Sequence, residues 1–208
     1  MRSVIALEVA APEIAAVVLA AGRGERMGAP CKALIEIDGR PMILAAVEAA
    51  LASRAAETIV VTGHGSSRVR AALADLPVRI IENPDYRLGL STSLRAGLAA
   101  APATADGVVV LLADMPLIRS HHIDRLIGAF AAGGADICLP VFQGRRGNPV
   151  LWGRGLFTAL CALDGDTGGR ALLAAHAERT RQVEMDAAIL FDVDEPTDVD
   201  RLQTVARR

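Results

Sequence analysis

The chain has 208 residues, a hydrophobic fraction of 52% and a formal net charge of −2. That length suits one domain with an ample apolar core, and the near-neutral charge argues against a general nucleic-acid binder. No apolar run reaches the roughly 18 residues of a membrane span, and the three cysteines form no CxxC pair.

Residues 1–13 read as a loose N-terminal extension. Arg2 is followed by an apolar patch that Glu8 and Glu13 interrupt, which makes no secretory signal. Without an export signal, Cys31, Cys138 and Cys161 are expected as free thiols in a reducing cytoplasm. A single domain is then expected over 14–208. It opens with the apolar run Ile14 to Ala20, which includes Leu19 and suits a buried strand. Ala21, Gly22, Arg23, Gly24, Arg26, Met27 and Gly28 follow, and the stretch closes at Lys32. A buried strand that empties into a glycine-rich, cationic loop can hold phosphate. Glycines let backbone N–H groups approach the anion, and the cations supply counter-charge. The same composition also suits a solvated surface loop. Gly22-x-Gly24-x-x-x-Gly28 misses the dinucleotide fingerprint by one residue, and the P-loop's Gly-Lys-Ser/Thr is absent. Lys32 is the one lysine among 22 Lys plus Arg, a compact ammonium in a chain that otherwise uses guanidinium.

Further along, Leu34 to Ile37 reads as extended, Asp38-Gly39 as a turn, and Pro41 as the first turn of a helix through about Ala52. Thr58 to Thr62 is a second strand, and Ser66 is an expected N-cap for a helix ending near Ala74. Val78 to Ile81 is a third strand, broken by Asn83-Pro84. Val108 to Leu112 is a fourth and ends on Asp114, and Ser120 is expected to cap the next helix. Ala135 to Val141, Asn148 to Trp152 and one or two pieces within Val183 to Val193 complete the strands, with helices near Leu156 to Leu163 and up to Ala177, and Pro196 opening the last. Strands alternating with helices predict a mostly parallel α/β sheet covered on both faces, with ligands at the carboxyl ends of the strands. Gly22, Thr62, Asn83 and Asp114 fall there.

Asp114, just past five apolar residues, is placed either to hold a hard cation such as Mg2+ or to cap a turn before Pro116. Asp192 and Asp194, one residue apart, would share a face on a strand and favour a cation beside them, or lie solvated at a strand end. Gly89, Ser91, Thr92 and Ser93 open a helix; small hydroxyl residues there cap it or receive an anion or a base edge. Arg145 to Val150 and Gly165 to Arg170 are two polar, glycine-containing loops that also suit surface turns. His64, His121, His122 and His176 show no metal-ligand spacing; His121 and His122 are expected to be exposed at a helix start, and Trp152 to pack.

Taken together, these stretches resemble the nucleotidyltransferases of the molybdenum-cofactor type (MobA/MocA-type), and within them the cytidylyltransferase branch. Leu19, Ala20, Gly22, Arg26, Met27, Gly28 and Lys32 match the pattern LAxGxxxRMGxxxK, and GLSTSLRAGL from Gly89 resembles the branch's nucleotide-holding segment. The resemblance runs from about Ile14 to Leu202, and its motifs occur in the family's order. It implies a three-layer α/β/α, Rossmann-like nucleotidyltransferase fold with a nucleotide half at about 14–118 and an acceptor half at about 119–208. It also implies a cytoplasmic enzyme moving CMP from CTP to molybdopterin cofactor. Lys32, Arg26 and Asp114 would act in transfer. Leu19 to Gly24, Lys32, Thr62, Asn83, Gly89, Ser91 and Ser93 would hold the nucleotide, and Asp114, Asp192 and Asp194 the Mg2+. Arg146, Gly147, Asn148 and Pro149, with Asp166 and Gly168, resemble RGHPVL and GDxGAR, the acceptor motifs. Asn148 stands where the branch has histidine, and Gly169 where it has alanine. Ala21 departs from the LAGG of the guanylyl branch. A molybdoenzyme or its maturation chaperone is the implied protein partner, with no nucleic acid and no membrane. A guanylyltransferase, a cytidylyltransferase for another phosphorylated acceptor, and a non-catalytic delivery protein are the alternatives.

Overall fold

The computed structural model describes residues 11–22, 31–166 and 169–206. The first strand, β1 (Ile14–Ala20), is buried along its whole length. Its side chains alternate between two cores, as a strand covered on both faces requires. Ala16, Val18 and Ala20 face one core, and Ala15, Val17 and Leu19 the other. A short hairpin follows, β2 (Glu36–Ile37) with β3 (Arg40–Pro41). The remaining strands are β4 (Glu57–Thr62), β5 (Arg79–Glu82), β6 (Gly107–Leu112), β7 (Ile137–Phe142), β8 (Arg145–Arg146), β9 (Val150–Gly153) and β10 (Thr180–Glu184). The main sheet has the order β10-β7-β9-β6-β1-β4-β5, with β8 folded back on β7.

β1 runs parallel to both β4 and β6, and β5 runs parallel to β4. β9 is antiparallel to β6 and to β7, which restores the common direction, and β10 is parallel to β7. The carboxyl ends of β1, β4, β5, β6, β7 and β10 therefore share one edge. Among the helices, α1 (Ile43–Leu51), α2 (Ser66–Ala72) and α4 (Ser120–Ala131) supply buried residues to the first core. Across the sheet, α3 (Leu90–Ala100), α5 (Phe157–Cys161) and α6 (Arg170–Ala175) supply the second. The last helix is α7 (Pro196–Ala206). The result is the mostly parallel, three-layer α/β/α sheet expected from the sequence. Gly97 lets α3 lie close on it: a Cβ there would run into Val17 and come within 3.2 Å of Val61 Cγ2.

Several boundaries differ from the sequence reading. Pro41 belongs to β3 and α1 starts at Ile43. Asp38 and Gly39 take φ of 50° and 75°, the two-residue turn that makes a tight hairpin, and that pairing holds Pro41 extended. Gly65, at φ 69°, precedes α2, so Ser66 is its first residue rather than its cap. His122 is 2% exposed instead of open to solvent. Its Nδ1 accepts the Arg119 backbone N–H at 3.0 Å at the start of α4. The last strand ends at Glu184, because Asp186 then caps a 3-10 turn over Ala187–Leu190 by accepting the Ala188 N–H at 2.9 Å. Asp192 and Asp194 are thus not on a strand. Instead the Asp198 carboxylate accepts the Asp194 and Glu195 N–H groups at 3.0 and 2.9 Å and turns the chain into α7.

Candidate active site

A cavity of about 610 Å3 opens at the shared carboxyl edge of the sheet. The end of β1, Leu19 to Gly22, forms its back wall. Leu112 to Asp114 arrive from β6, because the Ala113 N–H bonds Leu19 O at 3.1 Å and continues the parallel pairing past the strand. Lys32 arrives on a 3-10 turn, Lys32–Leu34, and Asp194 on the segment leading to α7. That segment is docked by the Val193 N–H, which donates to the Asp114 backbone oxygen at 2.9 Å.

These three side chains meet. Lys32 Nζ lies 2.6 Å from Asp114 Oδ2 and 2.5 Å from Asp194 Oδ1. Burial works against the ammonium's charge, but the Asp114 and Asp194 carboxylates more than offset it and hold its pKa above the ordinary lysine value. Asp192 lies close enough to feel all three. Burial, then the charges of Asp194 and Asp114, push its carboxyl above the usual range, with Lys32 opposing. The other oxygen of Asp114, Oδ1, is buried and has no hydrogen-bond partner among the described residues. Hard carboxylate oxygens, one of them buried and unpaired, are a donor set that fits a divalent cation.

The opposite wall is the segment from Tyr86 to Leu90. The Tyr86 ring fills the space over Gly63: a Cβ on that glycine would lie 2.6 Å from Tyr86 Cβ and 2.9 Å from Ala21 Cβ. The Arg87 guanidinium is 5.7 Å over the ring, and its Nε donates to the Tyr86 hydroxyl at 3.3 Å. Tyr86, Arg87 and Leu90 line the cavity, and sequence reasoning passed over them. The available signal was the chain's only tyrosine, followed by an arginine, just before Gly89.

Of the other expected nucleotide residues, Leu19, Ala20, Ala21, Gly22, Gly89 and Ser93 line the cavity. Thr62, Asn83 and Ser91 lie behind its wall, buried. Thr62 bonds Ser66 at 2.9 Å, and Asn83 Nδ2 donates to Thr92 Oγ1 at 2.8 Å and Ser93 Oγ at 3.0 Å. Asp166 reaches the cavity from the second half of the chain. Arg146 is exposed on β8, Gly147 donates its N–H to Pro140 O on β7 at 3.0 Å, and Asn148 is fastened to the Ala187–Leu190 turn by its N–H to Ile189 O at 3.0 Å; the Asn148–Pro149 bond is cis. Arg23, Gly24, Arg26 and Gly168 lie outside the described residues.

A second cluster joins His121, His122 and Asp186. Because His122 Nδ1 accepts an N–H, its proton is on Nε2, 3.2 Å from both Asp186 oxygens. In that tautomer His122 donates to the Asp186 carboxylate, and the grouping of two histidines with an aspartate is one that the histidine spacing in the sequence did not suggest. No described helix is long and apolar enough to cross a membrane.

A family model for the MobA-like NTP transferase domain matches residues 16–180. Among curated proteins, the nicotine blue oxidoreductase of Paenarthrobacter nicotinovorans is 32% identical over 170 residues, 78% of this chain and 82% of that protein. The bifunctional protein GlmU of Sorangium cellulosum is 36% identical over 148 residues; the match takes in 68% of this chain but only 31% of GlmU's length. Among solved structures, Rv0371c from Mycobacterium tuberculosis superposes with a TM-score of 0.82 at 29% identity, covering 94% of this chain and 100% of that one. A manganese complex of Rv0371c gives 0.78 at 29%, covering 91% and 97%. A CMP:2-keto-3-deoxy-manno-octonic acid synthetase complexed with CTP gives 0.76 at 18%, covering 94% and 98%, a likeness of fold.

Proposed function

The chain belongs to the MobA-like NTP transferase family, and from that premise we propose that it moves CMP from CTP to the terminal phosphate of molybdopterin cofactor, releasing pyrophosphate. The observation that carries a transfer reading is the Lys32 ammonium held between Asp114 and Asp194 in a cavity at the strand ends. An oxygen of the acceptor phosphate attacks the α-phosphorus of CTP. The new P–O bond forms as the α–β bridging bond breaks, and its electron pair leaves with pyrophosphate. The acceptor phosphate is already ionised, so no protein base is required.

What the chain supplies is position and charge. Lys32, with Arg23 and Arg26, offsets charge on the departing pyrophosphate. Asp114 and Asp194, with Asp192 beside them, are the residues that would hold Mg2+. The buried, unpaired Oδ1 of Asp114 and the manganese complex of Rv0371c both support a divalent ion there. When bound, the ion supplies further neutralisation of the phosphates. Ala21 in the back wall narrows the space for a base relative to glycine and favours cytosine over guanine. Arg146, Gly147, Asn148 and Pro149, with Asp166 and Gly168, take the acceptor, and a molybdoenzyme or its chaperone receives the product.

Two readings compete. A guanylyltransferase would share all of this chemistry and differ in the base. An oxidoreductase is raised by the name of the Paenarthrobacter relative, which this chain covers over most of its length. Thermal denaturation with CTP, GTP, ATP and UTP, each with Mg2+, separates them. CTP should stabilise most, by about 2.7 kcal/mol at a hundredfold over Kd. A preference for GTP selects the guanylyl reading, and no stabilisation by any nucleotide removes transfer altogether.

A further inference from the structure

The stretch expected to hold the nucleotide and the stretch expected to take the acceptor meet at several places, β6 on β9 and Val193 on Asp114 among them, and one further junction lies at the start of α3. The first N–H groups of α3 have no partner within the helix. Here they are satisfied from the other half of the chain: the Leu90 N–H donates to Asp166 Oδ1 at 2.9 Å, and the Ser91 N–H to Gly165 O at 3.1 Å. One turn further along α3, Arg95 holds the same loop from its other end. Its Nε donates to Cys161 O at 3.1 Å and its Nη2 to Leu163 O at 3.3 Å, with Asp164 Oδ1 3.9 Å away. The approach is close enough that residue 89 must be glycine. Its φ is 111°, and a Cβ there would lie 2.6 Å from the Gly165 carbonyl carbon. Gly89, Leu90 and Asp166 all line the cavity that Lys32 and Asp114 line.

We propose that Arg95 and Asp166 are positioning residues that clasp the loop 161–166 onto the start of α3, so that the two walls of the cavity are ordered together and a nucleotide bound on one is felt at the other. The physical reason is reciprocity. A ligand that orders one side of a shared hydrogen-bonded unit lowers the cost of ordering the other, and the coupling runs both ways. Asp166 thereby acts on the helix that carries Ser93, in addition to any contact it makes with an acceptor. Arg95 reaches no reacting atom and acts only through the loop. This inference rests on the reading of the cavity as a nucleotide site.

The test uses the full chain with Asp166→Ala, Asp166→Asn and Arg95→Ala. Amide hydrogen exchange of the free protein reports the clasp without any ligand. Loss of the cap should speed exchange at Leu90 and Ser91 by about tenfold in Asp166→Ala and Arg95→Ala. Asp166→Asn keeps an acceptor oxygen and should recover most of the protection. Calorimetric titration with CTP and Mg2+ should then show affinity about tenfold weaker in the two alanine variants and largely restored in Asp166→Asn, with the melting temperature little changed. CTP should also slow exchange across 163–166 in the wild type and not in Asp166→Ala. Unchanged exchange at Leu90 and Ser91 overturns the clasp. Faster exchange with unaltered CTP affinity, or equal protection of 163–166 in wild type and Asp166→Ala, overturns the coupling. If the wild type binds none of CTP, GTP, ATP and UTP, the proposed function and the coupling fall together, and the exchange rates still decide whether the clasp exists.

Discussion

At Lys32 the charge balance can be tested directly, because it is the only lysine in the chain. If its ammonium acts against the triphosphate, a longer, planar guanidinium misplaces the charge. Pyrophosphate release at saturating CTP and acceptor should fall from wild type to Lys32→Arg and again to Lys32→Ala. The full loss should be on the order of a hundredfold to a thousandfold, the range for one electrostatic contact specific to a transition state. Wild-type turnover in Lys32→Ala would remove the residue from the site. The same ammonium competes with a divalent ion for Asp114 Oδ2 and Asp194 Oδ1. Lys32→Ala should therefore bind Mn2+ more tightly in the absence of nucleotide, by roughly five- to a hundredfold, whereas Asp114→Ala should weaken it; titration of Mn2+ by its spin-resonance signal checks both. Lysine 32 was legible in the sequence because a single lysine stands out against arginine. Tyr86 was not, since what places it in the cavity wall is the missing side chain of Gly63, a residue distant in sequence that only the parallel sheet brings beneath it.

Among the elements, α4 carries a pH dependence. Burial lowers the pKa of His122 from its ordinary 6.5, with the Asp186 carboxylate opposing and His121 beside it adding to the depression. The unfolded chain therefore binds more protons than the folded one just below that value. The stability that neutral His122 contributes is complete above about pH 6.5 and is lost as pH falls through its lower folded-state value. Melting temperature should drop as pH falls below about 6.5, and His122→Gln should melt lower at about pH 7 but with a flatter profile. A parallel slope in the two proteins would assign the dependence elsewhere. On α3, Gly97→Ala gains helix propensity of about 1 kcal/mol but drives a methyl into Val17. The clash should win, with a net loss of about 1–2 kcal/mol in denaturant unfolding; a more stable variant would show that the helix can shift. The elements themselves were readable from apolar runs and turn residues. Their boundaries failed where a local hydrogen bond that the apolar pattern does not show decided them: Asp186 turns the chain after the last strand, His122 holds the Arg119 N–H at the start of α4, and the β2–β3 pairing claims Pro41.

For the molecule as a whole, the sheet brings to one edge residues that the sequence separates widely: Lys32, Asp114, Asp166 and Asp194. A mostly parallel sheet was foreseeable from alternating strands and helices. The antiparallel β9 was not, because a four-residue strand carries no mark of its direction. That strand is nonetheless what returns β7 and β10 to the common direction and brings the second half of the chain to the same edge. Nucleotidyl transfer at this edge would run on the Lys32–Asp114–Asp194 group. The most direct measurement is pyrophosphate release by the purified chain with molybdopterin cofactor, Mg2+ and each of CTP, GTP, ATP and UTP, in the wild type and in Asp114→Ala. Release should depend on the acceptor and be fastest with CTP, and Asp114→Ala should abolish it while its melting curve stays that of a folded protein. Wild-type release in Asp114→Ala, or no release from any nucleotide by the wild type, would contradict it.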